Sequence, residues 1–461
     1  MMGEIKENAK EKHSQSSIAA RLERLPLSGF HWNFLWMITA GEWFDTLILL
    51  SLGLLVALIG ISFGYPSGKG PIILISYAFF GMLFGAIILG RLADIFGRRT
   101  MYFFNLLIFG IPLIVAAFLN DLNIILILIF IAGMGIGAEG VLMDTFISEV
   151  MSRKTRGKRL ALAYTVVVTS APIGALLAAI TEKNMPHDAW RVFLLFAGIG
   201  ALVVWVARFK MIESPRWLVS KGKYKEADEL MTKIENDIMK EKNLKSLPEP
   251  EIRAEAKQEA SKYLDLFKPG IVGKTVMMFI FMFFQSALFY GFTALVPLFL
   301  GSRGINLNQI FTFTFVVYSG FLIGSIFNVF VIDKIERKYG LIISIIAVGV
   351  FGVLFAFSGD IYLALLMGFL TTFSLWNMSN FYHQYNAEIF PTQIRASATG
   401  TSYALSRLSS AILPTFIGTV IYKEYGIGGA FGMLWFFIII LVLDLYFLGP
   451  KSTGRKLEEI K

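Results

Sequence analysis

The sequence predicts an all-α membrane protein whose twelve transmembrane helices form two pseudo-symmetric six-helix bundles. Three observations lead to this prediction: the composition, the length of the apolar segments and an internal repeat. Of the 461 residues, 56% are hydrophobic and only 16% are charged, whereas roughly 25% of an average soluble domain is charged. This is more apolar surface than a soluble core can hide. In lipid, only helices or closed barrels satisfy every backbone N–H and C=O group.

The apolar segments have the length of helices, since a helix needs about 20 apolar residues to cross a bilayer. Six segments precede a polar gap and six follow it. They lie at about 34–60, 71–91, 100–119, 122–150, 159–181, 190–211, 273–300, 310–332, 341–358, 361–387, 396–421 and 429–449.

The chain divides into five parts. Residues 1–30 carry charges of both signs and lack the short apolar region of a signal peptide, so we expect a retained cytoplasmic tail. The first six segments predict an amino-terminal bundle at 31–211. Residues 212–272 are rich in Lys and Glu and predict a cytoplasmic linker of amphipathic surface helices. A second bundle at 273–449 and a second cytoplasmic tail at 450–461 follow.

Positive charge predicts the orientation. If residue 1 is cytoplasmic, the outward-facing connections hold few of the 42 Lys and Arg residues. They are Lys69, Lys183, Arg191, Arg303 and Lys423. The positive-inside rule therefore predicts a multi-pass protein of the cell membrane with both termini in the cytoplasm.

Composition also limits the function. The chain has no cysteine and only four scattered histidines, so we expect neither a metal site nor a cofactor. No nucleophile or metal constellation indicates an enzyme. The net charge of +9 fits membrane orientation better than nucleic-acid binding. The partners we expect are the bilayer, protons and a small-molecule substrate, with the chain acting as a monomer.

An internal repeat relates the two halves. Acidic and basic residues recur after the second and eighth segments and at the ends of the fourth and tenth, always 239 residues apart. The repeat pairs Asp94 with Asp333, Glu149 with Glu388 and Arg156 with Arg395. Because separate motifs recur at the same separation, the two halves are predicted to be duplicates. Transporters that bind substrate between two related bundles have this organisation.

Two motifs resemble the major facilitator superfamily. The Asp94-x-x-Gly97-Arg98-Arg99 loop is similar to its signature between helices 2 and 3. Glu213-Ser-Pro-Arg-Trp-Leu218 resembles the segment that its sugar and organic-ion branches carry after helix 6. The resemblance covers nearly the whole chain and implies a solute transporter.

Further segments resemble the aromatic-acid/proton symporters and their organic-ion relatives. These are Glu42-Trp-Phe-Asp45, Gly133-x-Gly135-x-Gly137-Ala-Glu139 and Ser406-Arg407-Leu408 with Pro414. Glu42, Trp43 and Val141-Leu142 depart from that family's pattern. Sugar porters are the alternative, since Glu388-Ile-Phe-Pro391 fits them, although the seventh segment offers only Gln285 where they usually carry a Gln pair.

Three acidic residues inside the spans are candidates for proton coupling, because a charged group in a bilayer is costly and usually functional. Glu42 and Asp45 are three residues apart and share a helix face. Two neighbouring carboxylates in a low dielectric favour keeping a shared proton. Glu139 is the third candidate. The alternatives are hydration of the first two at the cytoplasmic end and, for Glu139, a structural partner on helix 1 or helix 5.

Arg407 is predicted near the middle of the eleventh span, about 18 Å from its start. A guanidinium there can bind a carboxylate through two parallel hydrogen bonds. The alternative is a structural ion pair with Asp45 or Glu139. Other candidates for substrate binding are Gln285, Tyr290, Trp376, Asn377, Asn380 and Tyr385.

Charged residues at the cytoplasmic ends of both halves predict a gate of ion pairs between the bundles, a role that the superfamily resemblance implies. The alternative is solvated loop charge, where an exposed pair contributes only about 0 to 1 kcal/mol. The gate residues are Asp94, Arg98, Arg99, Glu149, Arg156, Asp333, Arg337, Glu388 and Arg395.

The resulting prediction is a secondary active transporter that couples protons to the symport of a small organic anion, a carboxylate, by alternating access. A proton-coupled sugar porter is the alternative.

Overall fold

A computed structural model of the protein describes residues 18–65, 70–250, 263–332, 334–390 and 392–453. Within these ranges the regular structure is helical, and no β-strand occurs. The predicted all-α fold class is therefore confirmed.

From Gly29 to Ala207 the described residues form eight helices, because two spans are interrupted. The first span breaks at Ser51, where its two parts meet at 58°, and the fifth breaks between residues 167 and 170. The helices are α1 (Gly29–Leu50), α2 (Leu52–Ser62), α3 (Ile73–Phe96), α4 (Arg98–Ala117), α5 (Leu122–Val150), α6 (Arg153–Val167), α7 (Ser170–Asn184) and α8 (Ala189–Ala207), followed by a 3-10 turn at Arg208–Lys210.

Between the halves, the described part of the linker forms the surface helices α9 (Pro215–Ser220) and α10 (Tyr224–Lys242) and a 3-10 turn at Tyr263–Phe267. The second half contains α11 (Val272–Gly301), α12 (Leu307–Val331), α13 (Arg337–Phe357), α14 (Ile361–Ile389), α15 (Thr392–Phe416), a π-helical turn at Ile417–Ile421 and α16 (Tyr422–Leu448).

Ten stretches of the described chain are long and apolar enough to cross a membrane. The last, Ser397–Leu448, has 52 residues and contains most of α15 and all of α16. The helix is kinked at Gly426, near the start of α16, where φ is 62°. Both α15 and α16 pack against α11. A single straight helix of this length could not do so, and we therefore count α15 and α16 as two spans. Together with the broken span formed by α1 and α2, the spans number twelve, as the sequence predicts.

The internal repeat extends to helix ends. Asp121 begins α5 by accepting a hydrogen bond from the Asn123 N–H at 2.8 Å, and Asp360 begins α14 by accepting one from the Leu363 N–H at 2.7 Å. These two caps are also 239 residues apart. Both helices have 29 residues. The two halves therefore share an Asp N-cap at the same position of equivalent helices.

The amino-terminal tail packs on the linker. Ile18, Leu22 and Leu25 form an apolar cluster with residues of α9 and α10. Arg21 donates to Glu235 at 2.8 Å, and Arg24 donates to the same carboxylate at 2.6 Å. Burial alone would raise the pKa of Glu235, but these two guanidinium groups lower it below its ordinary value. The tail and α10 therefore form one charged and apolar contact next to the start of α1.

We call the end of the bundles that carries α9 and α10 the linker end, and the other the opposite end. Most described hydrogen bonds between the bundles lie toward the opposite end, although the Thr165 and Ser325 hydroxyls also bond across the interface at 3.0 Å, farther toward the linker end. Ser76 of α3 donates to the Ala411 carbonyl at 2.5 Å and bonds the Thr415 hydroxyl at 2.7 Å. Asn308 of α12 donates to Glu182 of α7 at 3.1 Å. The bundles are thus joined at the opposite end.

Candidate functional site

Two carboxylates of α1 differ sharply in their surroundings. Glu42 is half-buried, whereas Asp45 has no exposed surface. Neither Asp45 oxygen has a hydrogen-bond partner among the described residues. Asp45 interacts electrostatically with Glu139, Glu42 and Arg208. The structure therefore brings the three predicted proton-coupling residues into one cluster.

Glu139 has its own cation. Arg208, at the end of the sixth span, donates from Nη1 to Oε2 of Glu139 at 3.1 Å, and its Nη2 pairs with Oε1. Asn105 of α4 donates to the same carboxylate at 2.7 Å. The sequence suggested structural partners on the first or fifth helix, but those found lie on the third and sixth spans. This bidentate pair neutralises Glu139 and leaves Asp45 with no guanidinium of its own.

Gly41 makes room for this pair. A side chain at position 41 would collide with the Arg208 guanidinium and the Glu139 carboxylate. The ion pair thus packs directly on the α1 backbone, one helical turn before Asp45. Arg208 also donates to the Tyr102 carbonyl at 3.0 Å, so it is held by several acceptors although it is only 1% exposed.

Arg407 of α15 is buried among neutral groups. Its Nη1 donates to the Tyr290 hydroxyl at 3.1 Å, and its Nη2 donates to the Tyr403 hydroxyl. The guanidinium lies over the Tyr403 ring at 4.3 Å and over the Phe79 ring at 6.0 Å. Its Nε has no acceptor among the described residues. The described ion pairs do not join Arg407 to Asp45 or Glu139.

The acidic cluster and Arg407 approach each other across the bundle interface. A Cβ atom added to Gly140 of α5 would lie 3.6 Å from the Tyr403 hydroxyl and 3.8 Å from Oε1 of Glu42. The Phe79 and Tyr290 rings, one from each bundle, are 4.6 Å apart. Acidic groups of the first bundle thus face a basic group of the second, as expected for a site between bundles.

The other residues predicted to bind substrate differ in their burial and in their hydrogen-bond partners. Gln285 is half-buried and donates to the Met282 sulfur at 3.4 Å. Trp376 packs edge-on against Phe321, and its Nε1 is buried with no acceptor among the described residues. A role for these side chains in binding remains a prediction.

Three further candidates lie on α14. Asn377 is buried and accepts a hydrogen bond from Asn328 at 2.9 Å. Asn380 is half-buried. Tyr385 lies near the linker end, where its hydroxyl donates to the Pro450 carbonyl at 2.8 Å. Asn377 therefore has a partner inside its own bundle and Tyr385 has one at the start of the carboxy-terminal tail. Their predicted contact with substrate would require these bonds to change.

Four of the predicted gate residues form ion pairs inside their own bundles. Arg98 pairs with Glu149 at 3.4 Å, and Arg337 pairs with Glu388 at 3.3 Å. Each residue is 239 positions from its counterpart, so the repeat predicts equivalent pairs. The side chains of Asp94, Arg156 and Arg395, and all of Asp333, lie outside the described residues. Ion pairs between the bundles at this end remain a prediction for another conformation.

Glu213 holds the start of α4. Its Oε1 accepts hydrogen bonds from the Arg98 N–H at 3.0 Å and the Arg99 N–H at 3.1 Å. Burial raises the pKa of Glu213, although these backbone donors favour its charged form. Gly97 permits the contact, because its φ is 106° and a side chain there would strike the carboxylate. In the second half, the Thr453 hydroxyl accepts from the Arg337 N–H at 3.0 Å.

The sequence reasoning missed Arg208 and Tyr403. Arg208 follows an apolar span and therefore resembles an ordinary cytoplasmic flanking charge, whereas its long side chain reaches back into the bundle. Tyr403 lies four residues before Arg407, on the same helix face, and this spacing could have identified it.

Comparisons with known proteins agree with this architecture. The sequence model of the family described as "Sugar (and other) transporter" matches residues 56–461. The niacin transporter NiaP of Acinetobacter baylyi is 25% identical, with 96% of this chain and 99% of that protein covered. The arabinose-proton symporter of Bacillus subtilis is 28% identical, with 84% and 85% covered.

Solved structures show the same fold. A partially occluded inward-open conformation of the xylose transporter XylE from Escherichia coli superimposes with a TM-score of 0.70. It shares 18% sequence identity, and the match covers 93% of this chain and 100% of XylE.

Proposed function

Because this chain belongs to the sugar (and other) transporter family of the major facilitator superfamily, we propose that it couples protons to the symport of a small organic anion, a carboxylate, by alternating access. Family membership makes the chain a membrane transporter and not an enzyme. The choice of an anion and of proton coupling depends on two features of the site.

Arg407 carries the proposal of an anion. A guanidinium has five N–H donors and cannot be deprotonated in a protein. Arg407 uses two nitrogens on neutral tyrosine hydroxyls, and its buried Nε has no acceptor among the described residues. Nε and Nη2 form one edge of the guanidinium, the kind of edge that binds a carboxylate through two parallel hydrogen bonds. A carboxylate would therefore satisfy a buried donor and neutralise a buried charge.

Asp45 supports proton coupling. An ionised carboxylate that is buried without hydrogen bonds costs several kcal/mol. Because the nearby guanidinium of Arg208 is bound to Glu139, Asp45 is better accommodated with a proton in this conformation. Release of that proton when the site opens to the other side would link proton movement to the transport cycle.

The conformation also fits alternating access. The described hydrogen bonds between the bundles concentrate toward the opposite end, which supports opening of the site toward the linker end. We propose that the linker end and both termini are cytoplasmic, which makes this an inward-facing conformation. We further propose that the bundles at 31–211 and 273–449 move as the two bodies of a monomer, joined by the linker at 212–272.

Proton-coupled sugar transport is the second candidate. The family description and the names of the arabinose and xylose relatives favour it, whereas niacin, the substrate named for another relative, is a pyridine carboxylic acid. Tyr290, whose hydroxyl bonds Arg407, and Gln285 of the same helix could also bind a sugar. Arg407 would then serve structure only, and a neutral substrate would leave its Nε to bind water.

Uptake into proteoliposomes separates these candidates. Radiolabelled nicotinate, benzoate, xylose and arabinose would be compared with and without an inward proton gradient. We expect a carboxylate to accumulate only with the gradient. Accumulation of a sugar, with no uptake of either carboxylate, would establish the second candidate and reject the first.

A further inference from the structure

Tyr403 lies between the acidic cluster and Arg407. Its hydroxyl accepts a hydrogen bond from Nη2 of Arg407, and its ring lies under the same guanidinium at 4.3 Å. The hydroxyl is also close to Glu42 across Gly140, and the two groups interact electrostatically. Tyr403 therefore contacts the charged Arg407 of its own bundle and faces Glu42 of the other bundle across Gly140.

A phenol has one hydrogen to donate and two lone pairs to accept. Because Arg407 occupies a lone pair of Tyr403, the hydroxyl hydrogen remains for another acceptor. Glu42 is the carboxylate that the structure brings near it. We propose that Tyr403 couples the protonation of Glu42 to anion binding by Arg407, an inference that rests on the proposed function.

The coupling follows from competition for one edge of Arg407. When Glu42 is ionised, it accepts the Tyr403 hydrogen and makes the phenol oxygen a stronger acceptor for Nη2. That bond holds half of the edge formed by Nε and Nη2. When Glu42 takes a proton from cavity water, the phenol oxygen becomes a weaker acceptor, and the edge is released to a carboxylate. When the anion leaves, Glu42 can return its proton to water.

Other ionisable groups surround this chain of contacts. On the side of the first bundle they are Asp45 of α1, Glu139 of α5 and Arg208 after α8. On the other side they are Arg407 of α15 and Tyr290 of α11. None of these is changed in the Tyr403 variant below, so their own response to pH is common to it and the wild type.

The test is the pH dependence of anion binding. Equilibrium binding of radiolabelled nicotinate and benzoate to the purified full chain would be measured from about pH 5 to about pH 8. For the wild type we expect the Kd to rise about tenfold or more over this range. In Tyr403→Phe the ring remains beneath Arg407, but the hydroxyl is lost, so we expect the Kd to vary less than about twofold.

Tyr290→Phe is the matched control, because Tyr290 binds the other terminal nitrogen of Arg407, Nη1. It should shift the Kd by a similar factor at every pH and keep the wild-type slope. A second variant, Gly140→Ala, adds a methyl group at 3.6 Å from the Tyr403 hydroxyl and 3.8 Å from Glu42, both ordinary contacts. It should fold and also flatten the slope, because the methyl group fills the space across which the hydroxyl and the carboxylate face each other.

Each outcome has a distinct meaning. A wild-type slope retained in Tyr403→Phe, or lost equally in Tyr290→Phe, would overturn the role of Tyr403 while leaving anion transport intact. A wild type that binds neither carboxylate at any pH but transports a sugar would overturn the proposed function and this inference with it.

Discussion

Two buried carboxylates of the first bundle, Glu139 and Asp45, have different partners. Glu139 is held by Arg208 and Asn105, whereas Asp45 has no hydrogen bond among the described residues. A paired charge stabilises structure only while both partners remain, and an uncompensated carboxylate favours a proton. The same cluster therefore contains one structural pair and one group suited to exchanging a proton.

Asp45→Asn should abolish accumulation driven by the proton gradient, because an amide cannot carry the coupling proton. Exchange of labelled for unlabelled substrate should remain partly intact, since the bundles can still move with substrate bound. Both are measured in proteoliposomes with the substrate identified above. Accumulation at the wild-type level in this variant would reject Asp45 as the coupling residue.

Glu139→Gln should destabilise the protein by about 3 to 5 kcal/mol, because it leaves the Arg208 guanidinium buried without its carboxylate. Thermal unfolding in detergent would show this loss. The double variant Glu139→Gln with Arg208→Met should recover most of the stability. Glu229→Gln, which breaks an exposed pair with Lys225, should have a negligible effect. Equal unfolding temperatures for Glu139→Gln and the wild type would contradict the structural pair.

Arg407→Lys keeps the positive charge but loses the planar edge, so an anion site should show a rise in apparent KM of about tenfold or more. The protein should remain folded, because no described ion pair depends on the guanidinium. Wild-type transport of a neutral sugar by both Arg407→Lys and Arg407→Ala would show that the organic-anion proposal is wrong.

The helices follow closely from the sequence, whereas several side-chain partners do not. Segment length, the polar gap and the 239-residue repeat predict twelve spans. In lipid each span must be long enough to cross the bilayer and must satisfy its backbone hydrogen bonds as a helix. The pairs of Arg98 with Glu149 and Arg337 with Glu388 follow the same repeat. The break near Ser51 was not predicted, because hydropathy does not record local bending. Arg208 was missed because a long side chain can act far from its backbone position.

Docking of the amino-terminal tail on α10 depends on Glu235, which accepts hydrogen bonds from Arg21 and Arg24. Its pKa is lowered from its ordinary value of 4.5, so this contribution to docking is complete above that value. It is lost only as the pH falls through the lower folded-state pKa. Removing the charge should therefore have its full effect at neutral pH.

Glu235→Gln should accelerate tryptic cleavage at Arg21 and Arg24 about fivefold or more at neutral pH, because hydrogen bonds to a charged group contribute about 1.5 to 3 kcal/mol. Cleavage is followed by mass spectrometry of the purified protein. Asp228→Asn should have a smaller effect, because Asp228 also pairs with Arg21 but its own side chain is 69% exposed. Equal rates for Glu235→Gln and the wild type would show that the ion pairs do not hold the tail.

For the molecule as a whole, alternating access requires the bundles to separate at the opposite end. The contacts of Ser76 with Ala411 and Thr415 must then break, although they are buried in the present conformation. Contacts inside a bundle, such as Ser286 of α11 with Ser410 of α15 at 2.5 Å, should persist. We therefore expect transport to respond differently when a disulfide replaces each kind of contact.

The chain has no native cysteine, so cysteine pairs can be introduced without background. Ser76→Cys with Thr415→Cys places two sulfur atoms where the hydroxyl oxygens are 2.7 Å apart, near enough for a disulfide to form with a small adjustment. Oxidation should hold the opposite end closed and abolish transport, and a reductant should restore transport.

Ser286→Cys with Ser410→Cys is the control, because it uses the same helix α15 but lies within one bundle. Its oxidation should leave most transport intact, since the helices of one bundle need not move relative to each other. Uptake before and after oxidation, with disulfide formation measured by mass spectrometry, compares the two pairs directly. If the oxidised pair between the bundles still transports at its reduced rate, the opposite end does not open during the cycle, and rocking of two bundles about a central site is rejected.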